Sequence, residues 1–592
     1  MDFNQNNLNR STSPYLQQHH DNPICWQEWS KEVLEYAQQE QKIIFVSIGY
    51  AACHWCHVMA REAFSDQQIA IFLNQFFVSI KVDREQRPDL DHYFLAYLQQ
   101  TQGSGGWPLN VFLTPERKPF YALTYAPLLP HHGLPGFLEI VHSIKDFHDR
   151  NRPHLPAYAL EIQTAAAVEE AELVAPLLTH LTDSHGPQFP PATSLLFLLH
   201  YYEQNPQQKM KEVIENLLEI MATRGLHDHL QGGFYRYCVD ESWTIPHFEK
   251  MLYDQALLLW VYSAAYKLFP KSAYKTIIEK VVICLEETFL GDGLFYAAHD
   301  ADADHEEGAT YLWTREELQT ILTEEEFQTM EETYLLTPNF EGKIHLVKQK
   351  WAVLPEIERK LLQYRQQRVQ PFVDKKYVTS WNALAGIGLV LASRMLNNTL
   401  LAMKAKLVGM SLLKKHYING KVVHSSYAGK LQEGEFLEDY AALLLLATYL
   451  SEEESGYLDL IKELEEKLSS FYFNESWIES KTADFMALPA ASFDHPYPSP
   501  LSLAEMATVR AKIILGKEYE PGEYQHSVEH DFFNLATFLR NGNWHLIHGP
   551  HRIQWQQLPL NCLQIQNKII QNCYKGGCEI FKDVTALLAK VR

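Results

Sequence analysis

Apolar positions follow two different rhythms along this chain. Up to about residue 150, short continuous apolar runs alternate with stretches of helical spacing. The runs are Ile43–Gly49, Phe76–Asp83 and Leu109–Leu113, with Pro119–Leu123 as a shorter last one. Between them lie Trp29–Glu40, Val58–Glu62, Gln67–Asn74 and Leu90–Gln100, the third opened by the N-cap signal Ser65-Asp66. Strands alternating with helices predict an α/β domain around a central sheet.

From about residue 190 the short runs give way to long helical ones: Ser194–Tyr202, Glu212–Met221, Ala256–Leu268, Tyr274–Phe289, Ala383–Met395, Thr399–Lys415, Glu438–Leu450 and Leu458–Tyr472. Loops rich in Gly, Asp, His and aromatic residues separate them. Paired helices at irregular intervals fit a closed toroid of helical hairpins better than an open solenoid. The expected division is a first domain over residues 1–165 and a toroid over 176–592. The segment Arg150–Pro176 connects the two.

Composition narrows the partners. The 592 residues are 46% hydrophobic and 21% charged, ordinary for a globular protein of several domains. A formal net charge of −22 excludes the basic footprint that nucleic acid or an anionic lipid surface requires. The N-terminal residues lack a basic and then apolar leader, and runs such as Ala441–Leu450 are too short to span a bilayer. A cytoplasmic protein is expected. Eight cysteines in so long a chain do not form a disulfide scaffold.

Two of those cysteines sit where chemistry is favoured. Cys53-His54-Trp55-Cys56 lies between the strand-like Ile43–Gly49 and the helix-like Val58–Glu62. A helix N-terminus offers free N–H groups and the positive end of the dipole, which stabilise a thiolate. This placement predicts a thioredoxin-like fold with Cys53 as the exposed attacking thiol and Cys56 as the resolving one. His54 and His57 stand ready to add positive charge. Gly106-Trp107-Pro108-Leu109 places Pro108 just before the third strand, where that fold packs a cis-proline against the dithiol. Competing readings are a haem-attachment C-x-x-C-H, a zinc site, and packing alone. The first lacks an export signal and the second lacks another ligand pair at finger-like spacing. No cofactor and no metal are expected. Cys573 and Cys578 have the wrong spacing for a redox CxxC and read as structural, or as a second dithiol.

Longer motifs carry a resemblance. Ser13-Pro14-Tyr15-Leu16, Cys53-His54-Trp55-Cys56-His57-Val58-Met59, Lys81-Val82-Asp83-Arg84-Glu85 and Gly105 to Pro115 resemble the family of spermatogenesis-associated protein 20. So do Tyr235-Arg236-Tyr237, Pro246 to Asp254, Asp300-Ala301-Asp302, Asn339 to Lys343, Thr379 to Asn382 and Phe436 to Tyr440. The resemblance implies an N-terminal thioredoxin-like domain and a C-terminal (α/α)6 toroid similar to those of N-acylglucosamine 2-epimerases and six-hairpin glycosidases. Where the family carries Ala-Pro-Lys-Phe-Pro, this chain has Gly186-Pro187-Gln188-Phe189-Pro190, and Pro498-Ser499-Pro500-Leu501-Ser502 lacks the usual asparagine. Both losses weigh against a sugar-directed activity.

Toroids gather function on the loops at one mouth, so His247, Glu249, Asp254, Asp300, Asp302, Glu438 and Asp439 are its candidate residues. Tyr235, Tyr237, Trp243, Trp313 and Trp381 are candidate stacking platforms for a sugar ring. Asp300-Ala301-Asp302-Ala303-Asp304 imitates the start of an EF-hand, but His305 and Tyr311 stand where Gly and Glu belong. The leading expectation is a thiol–disulfide oxidoreductase whose toroid recruits a protein thiol partner or a small molecule. The alternative is a carbohydrate-active or sugar-binding protein with an accessory thioredoxin-like domain.

Overall fold

The computed structural model describes residues 2–131, 133–151, 166–432, 434–486, 488–494, 496–526 and 529–591. The expected domain boundary at 165 lies outside them. The first unit runs β1 (Gln27–Glu28), α1 (Lys31–Gln39), β2 (Ile43–Gly49), α2 (His54–Arg61), α3 (Gln67–Phe76), β3 (Phe77–Asp83), α4 (Pro88–Gln102), β4 (Leu109–Leu113), β5 (Pro119–Leu123) and α5 (Phe137–Asn151). Its sheet has the order β1-β3-β2-β4-β5. Strands β1, β3 and β2 are parallel, β4 is antiparallel to β2, and β5 is antiparallel to β4. Every residue of β2 is buried, which is why it reads as an unbroken apolar run. Ile43 and Phe45 point into one core, Ile44, Val46 and Ile48 into the other.

The helical part begins with α6 (Val174–Thr182), α7 (Ala192–Gln204), α8 (Gln208–Thr223), α9 (Leu252–Leu268) and α10 (Ser272–Cys284). After an insertion of short helices between 315 and 365 come α11 (Thr379–Leu396), α12 (Thr399–Lys415), α13 (Leu437–Ser451), α14 (Leu458–Ser469), α15 (Pro500–Leu515) and α16 (Asp531–Arg540). Helices α7, α9, α11, α13, α15 and α16 pack each against the next, and α16 packs back against α7, closing a ring of six. These inner helices are apolar all round: α13 buries every residue from Leu437 to Ser451. Helices α8, α10, α12 and α14 pack outside them. They are more polar, and α14 buries only the stripe Ile461, Leu464 and Leu468.

The inner helices run parallel. First turns meet first turns: Ser194 of α7 bonds Asp531 of α16, Ser380 of α11 bonds Glu438 of α13, and Tyr253 of α9 packs 4.8 Å from Trp381 of α11. One mouth of the toroid therefore gathers six helix N-termini. The sheet domain covers that mouth. Asp83, at the end of β3, meets Lys376 at 2.5 Å, Arg87 meets Asp484 at 2.9 Å, and the Glu85 carbonyl lies 2.9 Å from His424 Nε2.

A unit absent from the expected toroid of 176–592 closes the other end. It comprises β6 (His545–Gly549), β7 (Cys562–Gln566), β8 (Gln571–Tyr574), β9 (Gly577–Ile580) and α17 (Val584–Val591). Lys267, in the last turn of α9, donates to the Trp555 carbonyl, and Glu203, in the last turn of α7, accepts from the Leu560 N–H. The sheet order β7-β6-β8-β9 and its strand directions repeat β3-β2-β4-β5 of the first unit. The crossover helices are gone. One 3₁₀ turn, Trp555–Gln557, joins β6 to β7, and residues 567–570 join β7 to β8. Without those helices the repeating strand–helix pattern that betrays such a fold is missing, so these strands of four or five residues escape detection. Among the described residues no helix is long and apolar enough to cross a membrane.

Candidate functional site

Cys53 is the N-cap of α2, and its Sγ accepts the Cys56 N–H at 3.2 Å. The two cysteines form a disulfide. Beneath it, Gly49 ends β2 with no room for a side chain: a Cβ there would stand 2.3 Å from Tyr15 Oη and 2.7 Å from Cys56 Sγ. The Trp107–Pro108 bond is cis. Trp107 donates from Nε1 to Asp91 at 2.7 Å and stacks under the Arg84 guanidinium at 4.1 Å.

The expectation of an exposed Cys53 needs correction. Cys53 is 3% and Cys56 1% exposed, whereas Trp55 between them is 45% exposed. The residues beside them are tied to the toroid. His54 Nδ1 lies 2.6 Å from Asp302 Oδ1, His57 Nε2 lies 2.9 Å from Asp300 Oδ2, and Arg61 reaches Asp302 at 3.6 Å. Asp302-Ala303 pairs with Glu306-Glu307, and Asp304 and His305 turn with positive φ, so the D-x-D-x-D run is a tight hairpin. Burial opposes charge on His54, but the Asp302 bond and the Glu307 charge outweigh it and raise its pKa. The same balance, with Asp300 as partner, raises His57. Burial pushes Glu307 up to about 7.

All seven toroid candidates sit at the covered mouth, in three groups. Asp300 and Asp302 hold the CxxC helix. Glu249, fully buried, accepts from Tyr50 Oη at 3.0 Å and from Arg236 Nη1 at 3.0 Å. His247 stacks on Tyr237 at 5.1 Å and lies 6.1 Å from the His54 ring. Asp254, in the first turn of α9, is driven well above the carboxylate range by burial. Glu438 and Asp439, in the first turn of α13, flank His424, whose Nδ1 lies 2.7 Å from Asp439 Oδ2. Burial opposes charge on His424, and Asp439 outweighs it, raising the pKa to about 9. Burial and the Asp439 charge push Glu438 up to about 7.

Between these groups lie residues to which the sequence motifs gave no role. Arg84 and Arg236 both face the Tyr50 ring, at 4.9 and 5.0 Å. Arg84 Nη1, Arg236 Nε, Tyr253 Oη, Asp254 Oδ2 and Glu438 Oε2 are buried with no protein partner. Such atoms are costly unless something bonds them. Arg84 directly follows a strand end and Arg236 stands between two tyrosines, which are the local signals that could have found them. Of the aromatic candidates, Trp381 packs at the mouth on Tyr253, and Tyr237 stacks between Phe189 and His247. Trp243 lines a cavity of about 310 Å³ with Gln188, Pro190 and Asp494. Trp313 belongs to the separate core of the 315–365 insertion, and Tyr235 packs with Phe248 and Tyr311. Among the described residues, His424, Glu438 and Asp439 form the one group with the makeup of a metal site, their ligand atoms lying within 4.8 Å of one another. With His424 protonated, the same three side chains form an ion-pair set, Asp439 at 2.7 Å and Glu438 at 3.7 Å from His424 Nδ1.

Fold and site together define a thioredoxin-like dithiol domain docked on the mouth of a helical toroid. Residues 5–167 match the family Thioredox_DsbH, described as a protein of unknown function, DUF255. The uncharacterized protein B0495.5 of Caenorhabditis elegans is 32% identical over 90% of this chain and 83% of its own. Spermatogenesis-associated protein 20 of Rattus norvegicus is 32% identical over 78% of this chain and 70% of its own, and that of Homo sapiens 32% over 79% and 70%. The chain belongs to the family of spermatogenesis-associated protein 20. Among solved structures, cellobiose 2-epimerase from Spirochaeta thermophila aligns with a TM-score of 0.38 at 12% identity, over 60% of this chain and 73% of that one. D-mannose isomerase aligns with a TM-score of 0.40 at 10% identity, over 60% and 87%. The toroid here rests on its own ring closure rather than on these alignments.

Proposed function

We propose that the protein is a thiol–disulfide oxidoreductase that works on a ligand held at the toroid mouth. The observation that carries this reading is that the two histidines of the CxxC segment are paired with Asp300 and Asp302 of the toroid, so that the disulfide lies within the interface. A folded protein has no access to a dithiol enclosed in this way. The partner is then a small thiol or disulfide, or a chain segment thin enough to enter. In the reductive direction, the Cys53 thiolate attacks one sulfur of a substrate disulfide, and the other sulfur leaves as a thiolate. Cys56 then attacks Cys53 Sγ, releasing the second thiolate and leaving the Cys53–Cys56 disulfide. The positive end of α2 and the charged forms of His54 and His57 favour the Cys53 thiolate.

Thiol trapping across glutathione or dithiothreitol buffers, read by mass spectrometry, tests the proposal. One reversible disulfide with a potential between about −270 and −120 mV is expected. Failure to form it, or protection of both thiols by a metal, overturns the reading.

The second reading is a carbohydrate-active or sugar-binding mouth with an accessory redox domain. It is favoured by the buried atoms of Arg84, Tyr253, Asp254 and Glu438 that lack protein partners, since a polyhydroxylated ligand supplies both donors and acceptors. Cys53→Ser separates the two readings: sugar turnover that survives it belongs to the second. A rise in melting temperature with sugars but no turnover assigns binding alone.

A further inference from the structure

The second disulfide differs from the first in nearly every respect that governs reactivity. Cys573 of β8 and Cys578 of β9 stand directly opposite each other in the antiparallel ladder and are bonded. They lie in the unit at the far end of the toroid, away from the covered mouth. The pair is asymmetric. Cys573 is 9% exposed and packs into the core that includes Leu546 and Leu563, whereas Cys578 is exposed. Gln571 Nε2 lies 2.9 Å from Cys573 Sγ and donates to it. The hairpin tip is open: Lys575, Gly576 and Gly577 are exposed, and a Cβ added at Gly576 would meet nothing within 4 Å. The strands it links are already joined by ladder hydrogen bonds on both sides of the bond. Cys25, Cys238, Cys284 and Cys562 remain thiols in the same chain.

We propose that Cys573–Cys578 is a second thiol–disulfide exchange site, open to low-molecular-weight thiols and polarised so that attack falls on Cys578. A thiolate such as that of glutathione approaches the exposed Cys578 Sγ and forms a new S–S bond there. The Cys573–Cys578 bond breaks, and its electron pair leaves on Cys573 as a thiolate. Attack falls on Cys578 because it is the exposed sulfur, and the Gln571 N–H gives the departing Cys573 thiolate a hydrogen bond that offsets part of the cost of its burial. Water then protonates it. A second thiolate attacks the glutathione sulfur of the adduct, releasing glutathione disulfide and the Cys578 thiolate. The balance is one protein disulfide and two thiols converted to two protein thiols and one small disulfide. Cys53–Cys56, with both sulfurs buried, opens to the same reagent more slowly.

The test uses the full native chain. It is treated with reduced glutathione for increasing times, alkylated in acid-quenched aliquots, and mapped by peptide mass spectrometry. The expected result is a glutathione adduct on Cys578 with alkylation on Cys573, appearing at least about tenfold sooner than any opening of Cys53–Cys56. An adduct that forms first on Cys573 overturns the polarity. A pair that opens only at the rate of global unfolding, measured in parallel over a urea series, overturns the site and makes the bond a structural staple. A Gln571→Leu chain sharpens the result: slower adduct formation at unchanged Cys578 exposure supports leaving-group stabilisation, and an unchanged rate removes it.

Discussion

The two ends of the toroid carry the same four-strand order, yet they differ in what hangs from the strands. At the mouth, β2 feeds directly into α2, and the helix end holds Cys53 and Cys56 in place. At the far end, β6 feeds into Pro550-His551-Arg552, with no helix and no cysteine there. Its only disulfide sits in the β8–β9 hairpin instead. Strand order thus supplies a platform, and the crossover helices decide where thiol chemistry is placed on it. The mouth also demands charge: buried carboxylates and cations join sheet to ring. The far end is held by hydrogen bonds, apolar packing, the stacking of Arg394 on Trp555 and one partly exposed ion pair, Arg552–Glu453.

Four measurements press on this contrast. The largest effect is expected from Lys376→Met. Its ammonium is fully buried among Asp83, Glu85 and Asp374, at 2.5, 2.9 and 3.1 Å. Removing it strands three carboxylates at the domain interface, a loss of about 3–5 kcal/mol in urea unfolding. A loss below about 1 kcal/mol would show that these charges do not join the domains. The next concerns pH. The folded pKa of His424, about 9, lies above its unfolded value, so the His424 contribution is complete below about pH 6.5 and fades as pH rises toward 9. Across that window the loss is at most about 3 kcal/mol. Unfolding curves at the two ends of the window should show the fall, and His424→Gln should flatten it. A slope unchanged by His424→Gln would refute the assignment.

Asp302→Asn comes third. It weakens the bond to His54 and should cost about 2 kcal/mol, as charged hydrogen bonds of partly buried groups do. In the reduced protein it should also speed alkylation of Cys53, and unchanged alkylation would mean that the hairpin is not the cover. The smallest effect, about 1 kcal/mol, is expected at the other sheet from Gly576→Ala, whose φ of +106° suits only glycine. That change should leave the thiol chemistry of Cys53 and Cys56 untouched, which thiol trapping can check.

What the sequence made legible follows from where each signal resides. The CxxC, the strand before it and the helix after it are contiguous, so local pattern sufficed. Four of the six inner helices, α7, α9, α11 and α13, coincide with long helical runs read from the sequence, whereas α15 and α16 were not among those runs. His247, Glu249 and Asp254 are likewise grouped in one short stretch. The docking of the CxxC segment was invisible because its partners, Asp300 and Asp302, are separated from it by almost 250 residues of chain. Arg84 and Arg236 lie in motifs the sequence displays, but their roles depend on meeting at Tyr50, and His424 takes its role from Asp439, 15 residues on and across a loop. The terminal sheet was hidden because strands β6 to β9 lack the helices that would have set their rhythm.

The cover over the CxxC has a consequence for the chain's own synthesis. His54 and Asp302 are 248 residues apart. At about 5–20 residues per second, a ribosome needs roughly 12–50 s to add the hairpin that will enclose the dithiol. Through that interval the nascent chain shows Cys53 and Cys56 to every thiol and oxidant around it. The redox state in which the pair is first enclosed is therefore set during translation, by the surroundings of the ribosome.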